Sequence, residues 1–271
     1  SFVRHALTLA TGNAVAQLML VAAIPVIARL YRPADLGIQA LFFGLVALLS
    51  IVSSGRYPLA IVQAANDREA VAVVKLSLVL LAGSTGLVAA LAGVAGPNLL
   101  RWAGHAELVS YAWCVPVALL LTGFDQVFSN WTIRNRRFHL QSVARMSASG
   151  ATVGTQIALG WAFGGGAGHL VLGLVVGRLA TAFVYAVNVW RFDRAVIARP
   201  LEDGELLRTA RRFLDFPRFS MPGNLLNESV SDVPTFLITG YYGAAATGLF
   251  SMARKALGMP VTLISEAVSQ V

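Results

Sequence analysis

Residues 218–248 read RFSMPGNLLNESVSDVPTFLITGYYGAAATG, and this stretch repeats the N-terminus. A shift of 211 positions puts Gly12 on Gly223 and Asn13 on Asn224 without a gap. Ile27 then falls on Ile238, Tyr31 on Tyr242, Ala34 on Ala245 and Gly37 on Gly248. Six positions of the 26 from Gly12 to Gly37 are identical, where this composition gives roughly two by chance. Each copy is a helix-length apolar segment that ends in a Tyr-containing turn, and a Gly opens the next apolar run. The second copy adds Glu228 and Asp232 inside its apolar segment. A repeat that carries intramembrane acids on one side suits a transporter better than an enzyme.

The composition names the solvent. Of 271 residues, 56% are hydrophobic and 13% charged, with a net charge of +8 and a mean hydropathy of +0.68. A soluble domain carries about a quarter charged residues. This chain cannot cover itself with polar groups, so most of its length faces lipid. The basic residues cluster between apolar runs, which excludes a nucleic-acid face and fits cytoplasmic loops. One cysteine, Cys114, allows no internal disulfide and no cysteine metal site. The four histidines are isolated, so no metal centre and no cofactor is expected.

Outward from the repeat, the sequence predicts about eight spanning helices of roughly 20 residues each. They run over about 6–28, 36–62, 71–94, 108–133, 142–163, 170–190, 219–240 and from 245 onward. Asn66-Asp67 reads as the N-cap of the third, and Pro116 as a kink in the fourth. The fifth is rich in Gly, Ser and Thr, which suits helix against helix. Trp102 suits the headgroup level. Within the hydrophilic connection 191–217, LEDGELLRTARRFLDF reads as a short amphipathic helix. The fold class is therefore an all-α polytopic membrane bundle with a two-lobe parallel repeat. About eight helices are present of an expected twelve or more. Residues 1–190 form an N-terminal six-helix lobe, 191–217 a cytoplasmic linker, and 218–271 the start of a truncated C-terminal lobe, so the chain is expected to be a fragment. With the N-terminus inside, inner segments hold fourteen Lys and Arg against Arg29, Arg32 and Arg101 outside.

GNAVAQLMLVAAIPVIARLYRPADLGIQALF, GRYPLAIVQAANDREA with KLS, and DFPRFSMPGNLLNESVSDVPTFLITGYYGAAATGLFSMARKALGMPVTLISEAVSQV resemble helices one, two, seven and eight of bacterial polysaccharide flippases. These belong to the multidrug/oligosaccharidyl-lipid/polysaccharide exporter superfamily. The resemblance implies a multi-pass protein of the bacterial inner membrane with a cytoplasmic N-terminus. It implies ion-coupled alternating access that moves an undecaprenyl-pyrophosphate-linked oligosaccharide, as an antiporter in lipopolysaccharide assembly. The implied partners are the lipid-linked oligosaccharide, membrane lipids, a polysaccharide polymerase and a chain-length regulator.

Charged groups inside apolar runs are the candidate site, because each costs about 2.5–3.5 kcal/mol at the bilayer centre. Arg56, Arg178, Arg254 and Lys255 are the substrate-binding candidates, since guanidinium forks suit phosphate oxygens. Arg56 has the alternative of snorkelling to lipid phosphate, and Asp125 that of pairing with Arg178. Arg254 and Lys255 are about 100° apart on a helix, so one is expected to face a cavity and the other to pair with an acid. Asn224, Glu228 and Asp232 recur every four residues on one helical face; Asn13 and Gln17 occupy the positions of the first two in the first copy. This stripe is the candidate ion-coupling site for H⁺ or Na⁺, with a polar helix seam as its structural alternative. A drug exporter of the same superfamily would want fewer cavity cations. A membrane enzyme of polysaccharide assembly would show a catalytic motif, and no GxSxG, HExxH or Asp-x-Asp occurs.

Overall fold

The computed structural model describes the backbone of residues 2–102 and 104–268, and the side chains of 15–96, 98–102, 104–255 and 257. Asn13 therefore lies outside the described side chains. The described chain is helical, with no strand. In order come α1 (Phe2–Leu30), α2 (Pro33–Ser53), α3 (Ala60–Gln63), α4 (Asp67–Val94), α5 (Gly96–Trp102), α6 (Cys114–Arg134), α7 (Phe138–Phe163) and α8 (Ala167–Asn188). A π-turn (Val189–Asp193) carries α8 into α9 (Arg194–Ile197). Then come α10 (Glu205–Arg212) and α11 (Met221–Val268). Among the described residues, three stretches, Pro33–Ser53, Asp67–Val94 and Ala167–Ile197, are long and apolar enough to cross a membrane. The described helices pack as an all-α membrane helical bundle.

The helix breaks fall at corresponding positions of the two sequence copies. The first copy breaks at Arg32, whose ψ of 152° sets Pro33 as the first residue of α2. The Arg32 N–H donates to Asp35 Oδ2 at 3.1 Å, closing half of a capping box. The second copy breaks at Gly243, with φ 82° and ψ 171°. Gly243 is the residue 211 positions after Arg32. That φ is the left-handed side of backbone space, open to Gly at no steric cost. The seventh and eighth runs are thus the two halves of α11.

Local chemistry explains the other ends. Asn66 caps α4 by accepting from the Glu69 N–H at 2.9 Å, and Glu69 returns by accepting from the Ala65 N–H at 2.8 Å. Pro116 sits in the first turn of α6, where its missing N–H has no helical partner to lose. It starts the helix and does not kink it. The second run ends sooner than the hydropathy suggests: Gly55 (φ 54°) and Arg56 (φ 61°) stop α2. Residues 57–62 stay apolar because Tyr57, Ala60 and Ile61 are buried in a protein core.

Packing follows the small residues. α8 carries Gly173 and Gly177, and a Cβ on either would collide with α7 at Gln156 or Thr152. This close approach is what the Gly/Ser/Thr-rich fifth run predicts. α1 lies along α7, and α2 lies along both halves of α11. The tightest crossing joins the repeat-related glycines. A Cβ on Gly37 would lie 1.9 Å from the Ala244 carbonyl oxygen, and one on Gly248 1.7 Å from that of Pro33.

Charge collects at one end. Arg134 binds Asp67 at 3.3 Å, Arg137 binds Asp193 at 2.6 Å, and Arg212 binds Glu69 at 2.9 Å. This end joins the start of α4, the end of α6, the start of α7, the end of α8 and α10. Trp190 and Phe219 (73% exposed) stand around it, and Trp102 (89%) and Trp161 (85%) around the opposite end. Such belts mark the two membrane–water interfaces.

The predicted amphipathic helix is α10. It is fastened by a fork from Arg68 to Glu205 (3.1 and 3.2 Å) and by the Tyr57 hydroxyl donating to the Ala210 carbonyl at 3.0 Å. Hydrogen bonds from Arg68 hold the Glu205 carboxyl below its ordinary pKa. A lowered folded-state pKa stabilises above the unfolded value and ceases to as pH falls through the folded one. Hydrogen-exchange protection of α10, corrected for intrinsic rate, is therefore expected to drop as pH falls below the ordinary carboxylate range. Glu205→Gln should show the low protection at neutral pH and no further acid loss. Unchanged α10 protection in that variant would refute the clasp.

Candidate functional site

A chamber of about 470 Å³ lies among α1, α2, α7, α8 and α11. Its polar wall is Gln17 from α1, Gln39 from α2, Thr152 and Gln156 from α7, and Asp232, Thr235, Ser251, Arg254 and Lys255 from α11. Leu20, Ile24, Phe43 and Leu174 supply apolar surface between them. Beyond this chamber, Tyr31 and the Gly37–Gly248 crossing close the packing. The Tyr31 hydroxyl donates to the Gln156 carbonyl at 2.6 Å, and the Gln156 amide donates to the Leu170 carbonyl at 3.0 Å.

The break at Gly243 builds the charged wall. It folds α11 back so that Arg254, from the second half, reaches Asp232, from the first, at 3.7 Å. Arg254 also donates to the Ser231 carbonyl. Lys255 lines the same chamber. The expected division between these neighbours is therefore corrected: both face the chamber, and Arg254 makes the acid pair as well. A side chain long enough to curl along its helix overcomes a 100° offset.

The other candidates separate. Arg178 is on α8, 3.2 Å from Asp125 on α6. It lines a second chamber of about 280 Å³ with Arg145, Ser129, Ser149, Thr181 and Tyr185. It also lines a third pocket of about 170 Å³ with Ser50, Thr122 and Gln126. Gln17 and Leu20 line both the first and the second chamber, so a narrow wall divides them. Arg56 is not inside a helix as the sequence suggests; it sits in the left-handed turn after α2, half-buried, with Nε lacking a hydrogen-bond partner. Burial lowers its pKa, and the charge of Glu228 opposes that shift.

The three side chains of the Asn224, Glu228 and Asp232 stripe meet different surroundings. The Asn224 amide donates to the Ser220 carbonyl of its own helix at 2.7 Å. Glu228 lies within electrostatic reach of Arg56. Only Asp232 enters the main chamber. The sequence reading passed over Gln39, Gln156 and Arg145. The first two were legible as amides within apolar runs; Arg145 was counted only as an inner charge. No cluster of three His, Cys, Asp or Glu suited to a metal occurs among the described residues.

An all-α bundle with long apolar helices and charged polar chambers between them defines the class: a polytopic membrane protein. Residues 26–271 match the profile of the polysaccharide biosynthesis protein family, and the chain belongs to that family. Membership agrees with the resemblance to polysaccharide exporters and ties this membrane protein to polysaccharide biosynthesis. Neither a curated protein nor a solved structure matches the chain.

Proposed function

We propose that this protein carries a lipid-linked, phosphate-bearing oligosaccharide across the bacterial inner membrane by ion-coupled alternating access. The carrying observation is the chamber of about 470 Å³, in which Asp232, Arg254 and Lys255 share a wall with four amide or hydroxyl side chains of α1, α2 and α7. Guanidinium and ammonium groups suit phosphate oxygens, and amides and hydroxyls suit sugar. The substrate's polyprenyl tail stays in the membrane. In this reading residues 1–190 are one lobe and residues from 218 begin the other, with residues 191–217 as the linker. The charge-rich end faces the cytoplasm.

Asp232 and Arg254 carry the coupling. A proton or Na⁺ on Asp232 frees Arg254 for phosphate, and departure of the phosphate returns Arg254 to its acid. Glu228 and Arg56 stand one turn nearer the cytoplasmic mouth as a second acid–base pair. Polymerase and chain-length regulator act on the product at the far side.

The test is complementation of a strain deleted for the native gene. Arg254→Gln/Lys255→Gln is expected to cut surface polysaccharide at least tenfold with membrane levels of the protein unchanged, since charge-assisted hydrogen bonds are worth about 1.5–3 kcal/mol each. Full surface polymer from the double variant would overturn the reading.

A further inference from the structure

One face of α8 is left over by the chambers. Along the helix and into its π-turn, Leu172, Leu179, Phe183, Ala186 and Trp190 are all exposed. They follow one another at steps of seven, four, three and four residues, which is a single stripe on a helix. Val175, Thr181 and Tyr185 between them are buried, so the opposite face is the one that packs on the neighbouring helices. The stripe runs into a different chemistry at the charge-rich end: the Arg194 guanidinium lies over the Trp190 ring, 5.0 Å from its centre.

An interfacial tryptophan needs no cation to sit at headgroup level. Trp102 and Trp161 are exposed at the opposite end, and among the described residues neither has a guanidinium over its ring. Trp190, 69% exposed, is therefore more than a belt residue. The acid beside Arg194 is already spent. Asp193 accepts from Arg137 at 2.6 and 2.9 Å and from the Trp131 indole at 3.1 Å, and it is buried. At the same end Arg68, Arg208 and Arg212 are paired with Glu202 and Glu69. Among the described residues neither Arg194 nor Arg191, exposed in the same turn, has an ion pair. A guanidinium stacked on a ring by its face keeps its N–H edge for an acceptor.

We infer that the end of α8 is a seat for an anionic phospholipid. Arg194 and Arg191 take the headgroup phosphate, Trp190 sits at the level of the glycerol, and one acyl chain lies along Phe183 and Leu179. The dimensions agree: Leu179 to Trp190 is about 16 Å of helix, matching one leaflet of a hydrocarbon core about 30 Å thick. The charges agree as well, since two unpaired arginines attract a net-negative headgroup, whereas a zwitterionic one brings its own cation to them. The occupant is lipid and not a second protein because apolar stripe and cations follow one another in the order of a phospholipid, tail and then head. The seat lies on the outside of the bundle and does not depend on what the chambers carry.

The test is tryptophan fluorescence of the purified protein in phosphatidylcholine vesicles. The vesicles carry a minor fraction of chain-brominated phosphatidylglycerol or, separately, of chain-brominated phosphatidylcholine, because bromine quenches an indole only at close range. The Trp190 share is the native signal less that of Trp190→Phe. At low salt it is expected to report a preference for phosphatidylglycerol of roughly fivefold for each arginine, and the preference should shrink as salt rises. Arg191→Gln/Arg194→Gln should bring the two lipids to equality, while Arg101→Gln at the opposite end leaves the preference intact. Total quenching of the double variant against native is a second measure that does not need Trp190→Phe to fold. Equal quenching of the native protein by both lipids would sink the seat. So would a Trp190 signal that neither lipid reaches, which would mean that protein covers this face.

Discussion

Arg137→Ala is expected to destabilise the protein by about 3–5 kcal/mol, the cost of stripping the partner from a buried charge. Asp193 is held in the π-turn that continues α8. It accepts two hydrogen bonds from Arg137, and the Trp131 indole N–H donates to it at 3.1 Å. Arg137 also donates to the Asn188 side-chain oxygen at 2.8 Å. One carboxylate thus ties the end of α6, the turn into α7 and the end of α8. Without Arg137, the single indole bond is left to hold a desolvated negative charge. The diagnostic is the double change. Arg137→Ala/Asp193→Asn removes the charge as well as its partner and should recover at least half of the loss. Both are read from the temperature at which detergent-solubilised protein loses its monodisperse peak. A double variant no better than Arg137→Ala would show that the pair is not the cause.

Gly248→Leu is the second large effect, expected to cost about 1–3 kcal/mol or more by overpacking. The atoms in the way of its Cβ are the carbonyl oxygen of Pro33 and the backbone nitrogen of Gly37, 1.7 and 3.1 Å off. Backbone cannot rotate aside as a side chain does, so α2 and the second half of α11 must separate. Gly240, eight residues earlier in α11, is the control: a Cβ there meets nothing within 4 Å. Gly240→Ala should be neutral or slightly stabilising, because Ala is the better helix former by about 1 kcal/mol. Equal thermal midpoints for Gly248→Leu and Gly240→Ala would contradict the crossing. The Gly248 variant is also expected to lower surface polysaccharide in the complementation assay, since α2 and the second half of α11 both line the chamber.

The repeat was the most informative feature of the sequence because it is a relation between positions. It put Gly37 and Gly248 in register, and these two meet at the crossing of α2 with α11. It also aligned Arg32 with Gly243, the two backbone breaks. The Asn66 cap was legible for a local reason: its hydrogen bond reaches three residues along the chain. Arg56 was misplaced because hydropathy measures dislike of water and not helicity. The apolar residues after it, Tyr57 to Ile61, are buried against Val127, Trp131 and Tyr185 and not in lipid. Pro116 misled for a related reason, since whether a proline kinks or starts a helix depends on which turn it occupies.

The sequence by itself determined that the chain is a helical membrane bundle, where its internal repeat falls, and which connections gather positive charge. Those properties are sums and periodicities along the chain. Only the tertiary structure decided which charge meets which: Asp125 with Arg178, Asp193 with Arg137, Asp232 with Arg254. The partners are separated by between 22 and 56 residues, while Coulomb attraction and hydrogen bonding act over a few ångströms. It is therefore the packing of α2 on α11, of α6 on α8 and of α7 on α8 that decides which acid each of these like-looking arginines meets.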